Sequence, residues 1–219
     1  MPAPLLTVEA IKAALRRPLP GWPAQKLMAP EARLNIDRRS FIRDDHREGG
    51  VLLLAYPGAQ NRLHLTLIRR PEYNGVHSGQ IALPGGAREP NETRQQTALR
   101  EAFEEIGVLP QELTVLGALS SIYIFPSNFL VYPTVACHPA RPVFKPNRRE
   151  VAEIIEAPLT FLFDKTLRQT ELRTLPRLGR TELPFYNVLG HRVWGATAMI
   201  LSEFSEALKA EIGPLEAER

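Results

Sequence analysis

One short segment constrains this chain more than any other. From Gly85 to Val108 a bare-backbone turn feeds a run that carries an apolar stripe and an acidic one. Pro84-Gly85-Gly86 reads as the turn. Asn91 reads as the N-cap of a helix of about fifteen residues, and Gly107 as the residue that closes it. On a wheel at ~100° per residue, Ala98, Leu99, Ala102, Phe103 and Ile106 share an arc of roughly 140°. Arg100, Glu101, Glu104 and Glu105 fall on the opposite arc.

That acidic arc runs against helix stability. Glu101 and Glu105 stack one turn apart, and like charges at that spacing cost a few tenths of a kcal/mol. They also lie toward the helix C-terminus, where the macrodipole disfavours acids. Either this is an ordinary solvated face, or something positive offsets it. A hard divalent cation would do so, since Mg²⁺ takes carboxylate oxygens and shares its shell with water and substrate phosphates.

The rest of the chain reads as short strands around that helix. Val51 to Tyr56 and Leu63 to Ile68 form a strand pair across the Pro57–Arg62 loop. Leu113 to Phe125, Phe129 to Ala136 and Val151 to Glu156 are further strands. Leu183 to Val188 and His191 to Trp194 make a hairpin turning at Gly190. Thr7 to Arg17 is a short helix capped by Thr7, and Ala196 to Ile212 a terminal one. Residues 18–48 show no clear element. The pattern predicts an α/β (α+β) fold with a mixed sheet covered by helices. No repeat or linker stands out, so 1–219 reads as one domain with residues 1–50 as an N-terminal extension packed on it.

Composition excludes several functions. The net charge of +3 is too small to argue for nucleic-acid binding. No apolar run approaches ~18 residues, so no transmembrane span or membrane partner is expected, and the start shows no signal-peptide pattern. The single cysteine, Cys137, suits a reducing compartment and a cytoplasmic location. Twenty prolines are spread along the chain as turn and edge markers.

The spacing inside the key segment is specific. From Gly86 the chain shows five residues, Glu92, seven residues, and then Arg100-Glu101-Ala102-Phe103-Glu104-Glu105-Ile106-Gly107-Val108. This resembles the Nudix box at every fixed position, and a chance match is on the order of one in a million. The resemblance implies a Nudix-type α/β/α sandwich with a mixed central sheet. It implies an enzyme that hydrolyses a nucleoside diphosphate linked to another group, with Mg²⁺ or Mn²⁺. Carried over by position, it makes Glu101, Glu104 and Glu105 metal ligands together with the Gly85 carbonyl. Arg100 orients the carboxylates, and Glu92 is a structural acid near the helix start.

Upstream, Arg70, Gly79, Gln80, Pro84, Gly85 and Gly86 resemble the extra signature of the coenzyme A pyrophosphatase subfamily. Pro71 stands where that signature has a small residue, and Gly75 where it has a second arginine. Arg69 and Arg70 are the phosphate-binding candidates. Glu150 is the candidate general base, with Glu153 behind it. His77 reads as a local hydrogen-bonder and Trp194 as core. The family resemblance also suggests a homodimer. The alternative substrates are ADP-ribose, NADH or another nucleoside diphosphate. A third reading is a nucleotide-binding sensor without turnover.

Overall fold

The computed structural model describes residues 6–34, 42–74, 77–175 and 178–213. Gly75, where the upstream signature departs, lies outside them. Its helices are α1 (Val8–Ala14), α2 (Trp22–Gln25), α3 (Glu31–Leu34), α4 (Arg94–Ile106) and α5 (Gly195–Ile212). Its strands are β1 (Arg47–Pro57), β2 (Leu63–Arg69), β3 (Ile81–Ala82), β4 (Gly85–Ala87), β5 (Thr114–Ala118), β6 (Ile122–Ile124), β7 (Phe129–Cys137), β8 (Glu153–Pro158), β9 (Arg168–Leu175), β10 (Gly179–Val188) and β11 (His191–Trp194).

The main sheet is mixed and runs β3-β2-β1-β7-β5, with β4 on β1, β6 on β7 and β8 on β2. β1 and β7 are parallel, from Arg47↔Phe129 to Ala55↔Cys137. Its other pairings are antiparallel. β1 is an almost continuous apolar run because both of its faces are covered. Leu53 and Ala55 face a core shared with α1 and α5, whereas Leu52, Leu54 and Tyr56 face α4 through Ala98, Ala102 and Ile106. This is the α/β/α sandwich with a mixed central sheet. A separate antiparallel sheet, β11-β10-β9, stands beside it.

Several sequence expectations are corrected. The cap of α4 is Thr93, not Asn91: its side chain accepts the Gln96 N–H while the Gln96 side chain accepts the Thr93 N–H, a full capping box. Asn91 instead takes a left-handed turn conformation, φ 69°. Phe103 is not on the buried stripe but exposed. Residues 18–48, expected to be irregular, contain α2 and α3, and the helix begun by Thr7 ends at Ala14. The strand expected over 113–125 is two strands, β5 and β6. β9 was not expected: Arg168–Leu175 is almost entirely solvent-facing and has no apolar alternation to reveal it. No helix among the described residues is long and apolar enough to cross a membrane.

Candidate active site

Bare backbone brings the site together. A Cβ on Gly50 would lie 2.8 Å from the Ala98 nitrogen and the Arg94 oxygen, so α4 rests directly on the glycine of β1. A Cβ on Gly49 would lie 2.7 Å from the Gly86 oxygen, which lets β4 approach β1. On Gly86 it would lie 2.4 Å from Oε2 of Glu101, so that carboxylate lies across the Gly86 backbone. In the sequence, the Gly49-Gly50 pair is the signal for this close packing.

Arg100 is the hub of the loop-to-helix junction. Its Nε donates to Glu92 at 2.6 Å and its Nη2 to the Ala87 carbonyl at 3.0 Å. Its Nη1 donates to Glu101 at 2.9 Å and to Glu104 at 3.0 Å. Glu92 also accepts the Thr97 hydroxyl at 2.9 Å and the Glu89 N–H at 3.1 Å. Mainly through Arg100, these partners outweigh its desolvation and hold its carboxyl down at about 2. Glu48 on β1 is held as firmly, by Arg94, Arg88 and the Tyr132 hydroxyl, with its carboxyl also at about 2.

Glu101 and Glu105 are placed differently. Glu105 is buried, 3% exposed, and accepts the Gly85 N–H at 2.7 Å. Burial pushes its carboxyl up to about 7. The Gly85 N–H and Arg70 oppose that rise, while Glu101 and Glu150 add to it. Glu101 is raised too, first by burial, against the pull of Arg100 and with a push from Glu104 and Glu150. For both acids burial is the dominant cause, and the donors and cations beside them offset it only in part while the neighbouring acids add to it. Such a group favours an added cation.

The other candidates divide between two places. Arg70 reaches the Gly85 carbonyl through Nη2 at 3.4 Å and acts on Glu105, so it belongs with the acids. Glu150 belongs there by its charge. The segment bearing it folds over the C-terminus of α4, where the Lys145 and Asn147 N–H groups donate to the Ile106 and Glu105 carbonyls at 2.8 and 2.9 Å. Asn147 Nδ2 then donates to Glu150 Oε1 at 3.1 Å. Arg69 points elsewhere, its Nε donating to Glu153 at 2.9 Å across the β2–β8 pairing. His77 bonds to the Gln80 side chain at 2.9 Å.

The arrangement suits a divalent ion by its donor chemistry. It offers a buried carboxylate, Glu105, and a half-buried one, Glu101, beside a carbonyl and a bare glycine backbone. It is not a closed cage, since among the described residues no three acidic, histidine or cysteine side chains are grouped to hold a metal ion. Glu104 in particular is half-exposed and drawn onto Arg100. An open site is what Mg²⁺ favours, because it keeps several waters and takes the remaining oxygens from substrate phosphates.

Comparison with known proteins agrees with the geometry. The NUDIX domain family model matches residues 46–176. A Photorhabdus laumondii protein named uncharacterized Nudix hydrolase NudL is 32% identical over 77% of this chain and 88% of its own length. A Pectobacterium atrosepticum protein of the same name is 36% identical over 64% of this chain and 73% of its own length. Among solved structures, the Nudix hydrolase RenU of M. smegmatis superposes with a TM-score of 0.52 at 19% identity, covering 80% of this chain and 91% of RenU. A MutT/nudix family protein from Enterococcus faecalis gives 0.51 at 16% identity, covering 81% and 72%. These structural likenesses concern the fold.

Proposed function

Because the chain belongs to the Nudix hydrolase family, whose members act on nucleoside diphosphate derivatives and generally use divalent metal ions, we propose that it cleaves the pyrophosphate bond of coenzyme A or acyl-CoA. The products are 3′,5′-ADP and a 4′-phosphopantetheine moiety. The observation that carries the reading is the pair Glu101 and Glu105, both raised by burial and seated over Gly85 and Gly86 with Arg70 alongside. The choice of substrate rests on the stretch from Arg70 through Gly79-Gln80 to Pro84-Gly85-Gly86, which resembles the coenzyme A pyrophosphatase signature.

In this reading Glu101, Glu104, Glu105 and the Gly85 carbonyl hold Mg²⁺ or Mn²⁺, which when bound neutralises phosphate oxygens and lowers the pKa of water. The chain's own groups do the rest. Arg100 fixes Glu101 and Glu104 while anchoring the loop through Glu92 and Ala87. Arg70 offers a guanidinium to a phosphate oxygen in place of its long contact with Gly85. Glu150 is exposed and near the acids, so it is the group to accept a proton from the attacking water.

A panel of coenzyme A, acetyl-CoA, ADP-ribose and NADH, run with and without Mn²⁺, tests this. Metal-dependent release of 3′,5′-ADP is expected. Cleavage of another dinucleotide with coenzyme A left intact would overturn the substrate assignment. The second reading, ADP-ribose or NADH, is favoured by Gly75, which stands where the signature has its second arginine.

A further inference from the structure

A second feature lies on the other side of β2. A cavity of about 500 Å³ opens between the 78–81 segment and the small sheet, lined by Arg69, Gln80, Arg173, His191, Arg192 and Trp194 among others. That volume suits a small-molecule site. The cationic side chains are arranged and stacked rather than loose. Glu171 reaches both Arg192 at 3.2 Å and Arg173 at 3.6 Å, and Glu153 lies between Arg69 at 2.9 Å and His191 at 3.6 Å. Arg173 stacks on Trp194 at 5.1 Å, and Arg192 on Phe185 at 5.6 Å.

Three guanidinium groups thus share two carboxylates, which leaves net positive charge and free N–H donors, five per guanidinium before its partners are counted. Forked donors held in place suit a phosphate. The cavity also adjoins the acids. Arg69 and Arg70 are consecutive, with Cα atoms ~3.8 Å apart. Arg69 faces the cavity and Arg70 the Gly85 carbonyl. Gln80 lines the cavity and its carbonyl accepts the Arg70 N–H at 3.0 Å. One extended small molecule can reach both places.

We propose that this cavity binds a second phosphate of the substrate, a phosphomonoester carried outside the diphosphate, through Arg69, Arg173, Arg192 and His191. The inference rests on the diphosphate reading of the acidic site and assigns residues to the extra phosphate that the proposed substrate carries.

The test is calorimetric binding of adenosine 3′,5′-bisphosphate, AMP and inorganic phosphate to the full chain in EDTA. The wild type should bind the bisphosphate about 10- to 100-fold more tightly than AMP, the increment expected of one or two charge-assisted hydrogen bonds. Inorganic phosphate should bind far more weakly than the bisphosphate. In an Arg173→Ala/Arg192→Ala variant the bisphosphate preference should fall about tenfold or more, and Arg173→Lys/Arg192→Lys should restore part of it. Equal affinity for bisphosphate and AMP in the wild type would overturn the proposal, as would an undiminished preference in the alanine variant. Inorganic phosphate binding as tightly as the bisphosphate would overturn it too, because the cavity would then be an independent anion site. Turnover separates the two readings. A wild type that cleaves no diphosphate yet keeps the bisphosphate preference refutes the hydrolytic reading alone. One that cleaves coenzyme A and 3′-dephospho-coenzyme A with equal KM refutes the cavity alone.

Discussion

Glu203 and Glu105 are both buried, and their surroundings could hardly differ more. Glu203 on α5 is fully buried, and its carboxylate accepts the Gly21 N–H at 3.1 Å, the Ser120 N–H at 3.2 Å and Gln25 Nε2 at 2.8 Å. Those donors come from the N-terminal segment and the β5–β6 connection, so the carboxylate ties three parts of the chain together. Glu105 accepts one backbone N–H, with Arg70 acting on it from nearby and two other acids acting against it. A buried charge whose lone pairs are filled by donors serves the fold. One buried with fewer donors and beside other acids is kept for something that arrives from outside.

The largest expected effect is on turnover. Glu105→Gln should abolish pyrophosphatase activity, by more than the ~100-fold that loss of an outer-shell partner typically costs, while leaving the unfolding midpoint unchanged or higher. A variant that unfolds earlier and keeps its activity would erase the contrast. Arg100→Ala should follow with a loss of roughly 10- to 100-fold in kcat/KM, because Glu101 and Glu104 lose their common anchor. Glu203→Ala should do the reverse of Glu105→Gln. With three donors left unsatisfied in the interior it should destabilise by about 3 kcal/mol, read by urea denaturation.

Glu48 sharpens the comparison through pH. Its folded carboxyl lies at about 2 against an ordinary 4.5, chiefly through Arg94. A depressed carboxyl contributes stability that is present above the unfolded value and lost as pH falls toward the folded one. The wild type should therefore lose stability between pH 4.5 and 2, and Glu48→Gln should lose less over that window. The smallest effect is Thr93→Ala, which removes the cap of α4 at a cost of about 1 kcal/mol.

The site helix was legible in the sequence because it obeys a strict spacing, and Gly107 closes it in the left-handed conformation, φ 75°. What periodicity misread was the environment of its acids. A helical wheel puts Glu105 at the end of the polar arc, about 20° from Ala98, and β4 folds over that border and buries it. Gly86 and Gly50 make that closeness possible, and a wheel has no information about neighbouring glycines. Phe103 failed in the opposite sense: it lies at the edge of the apolar arc, beyond the reach of β1. Arg69 and Arg70, taken together in the sequence as phosphate binders, part company because neighbouring residues along an extended chain face opposite ways. Beyond Arg69 of β2, the cationic cavity was not legible. Arg173 and Arg192 come from β9 and β11, which show their relation only once β10 pairs with both.

The most direct measurement is a calorimetric titration of Mn²⁺ into the wild type and into folded Glu105→Gln. The raised acids of α4 predict a saturable site in the wild type that is lost or weakened at least tenfold in the variant. Equal Mn²⁺ affinity in the two proteins would show that Glu105 is not held for a cation, and would contradict the account.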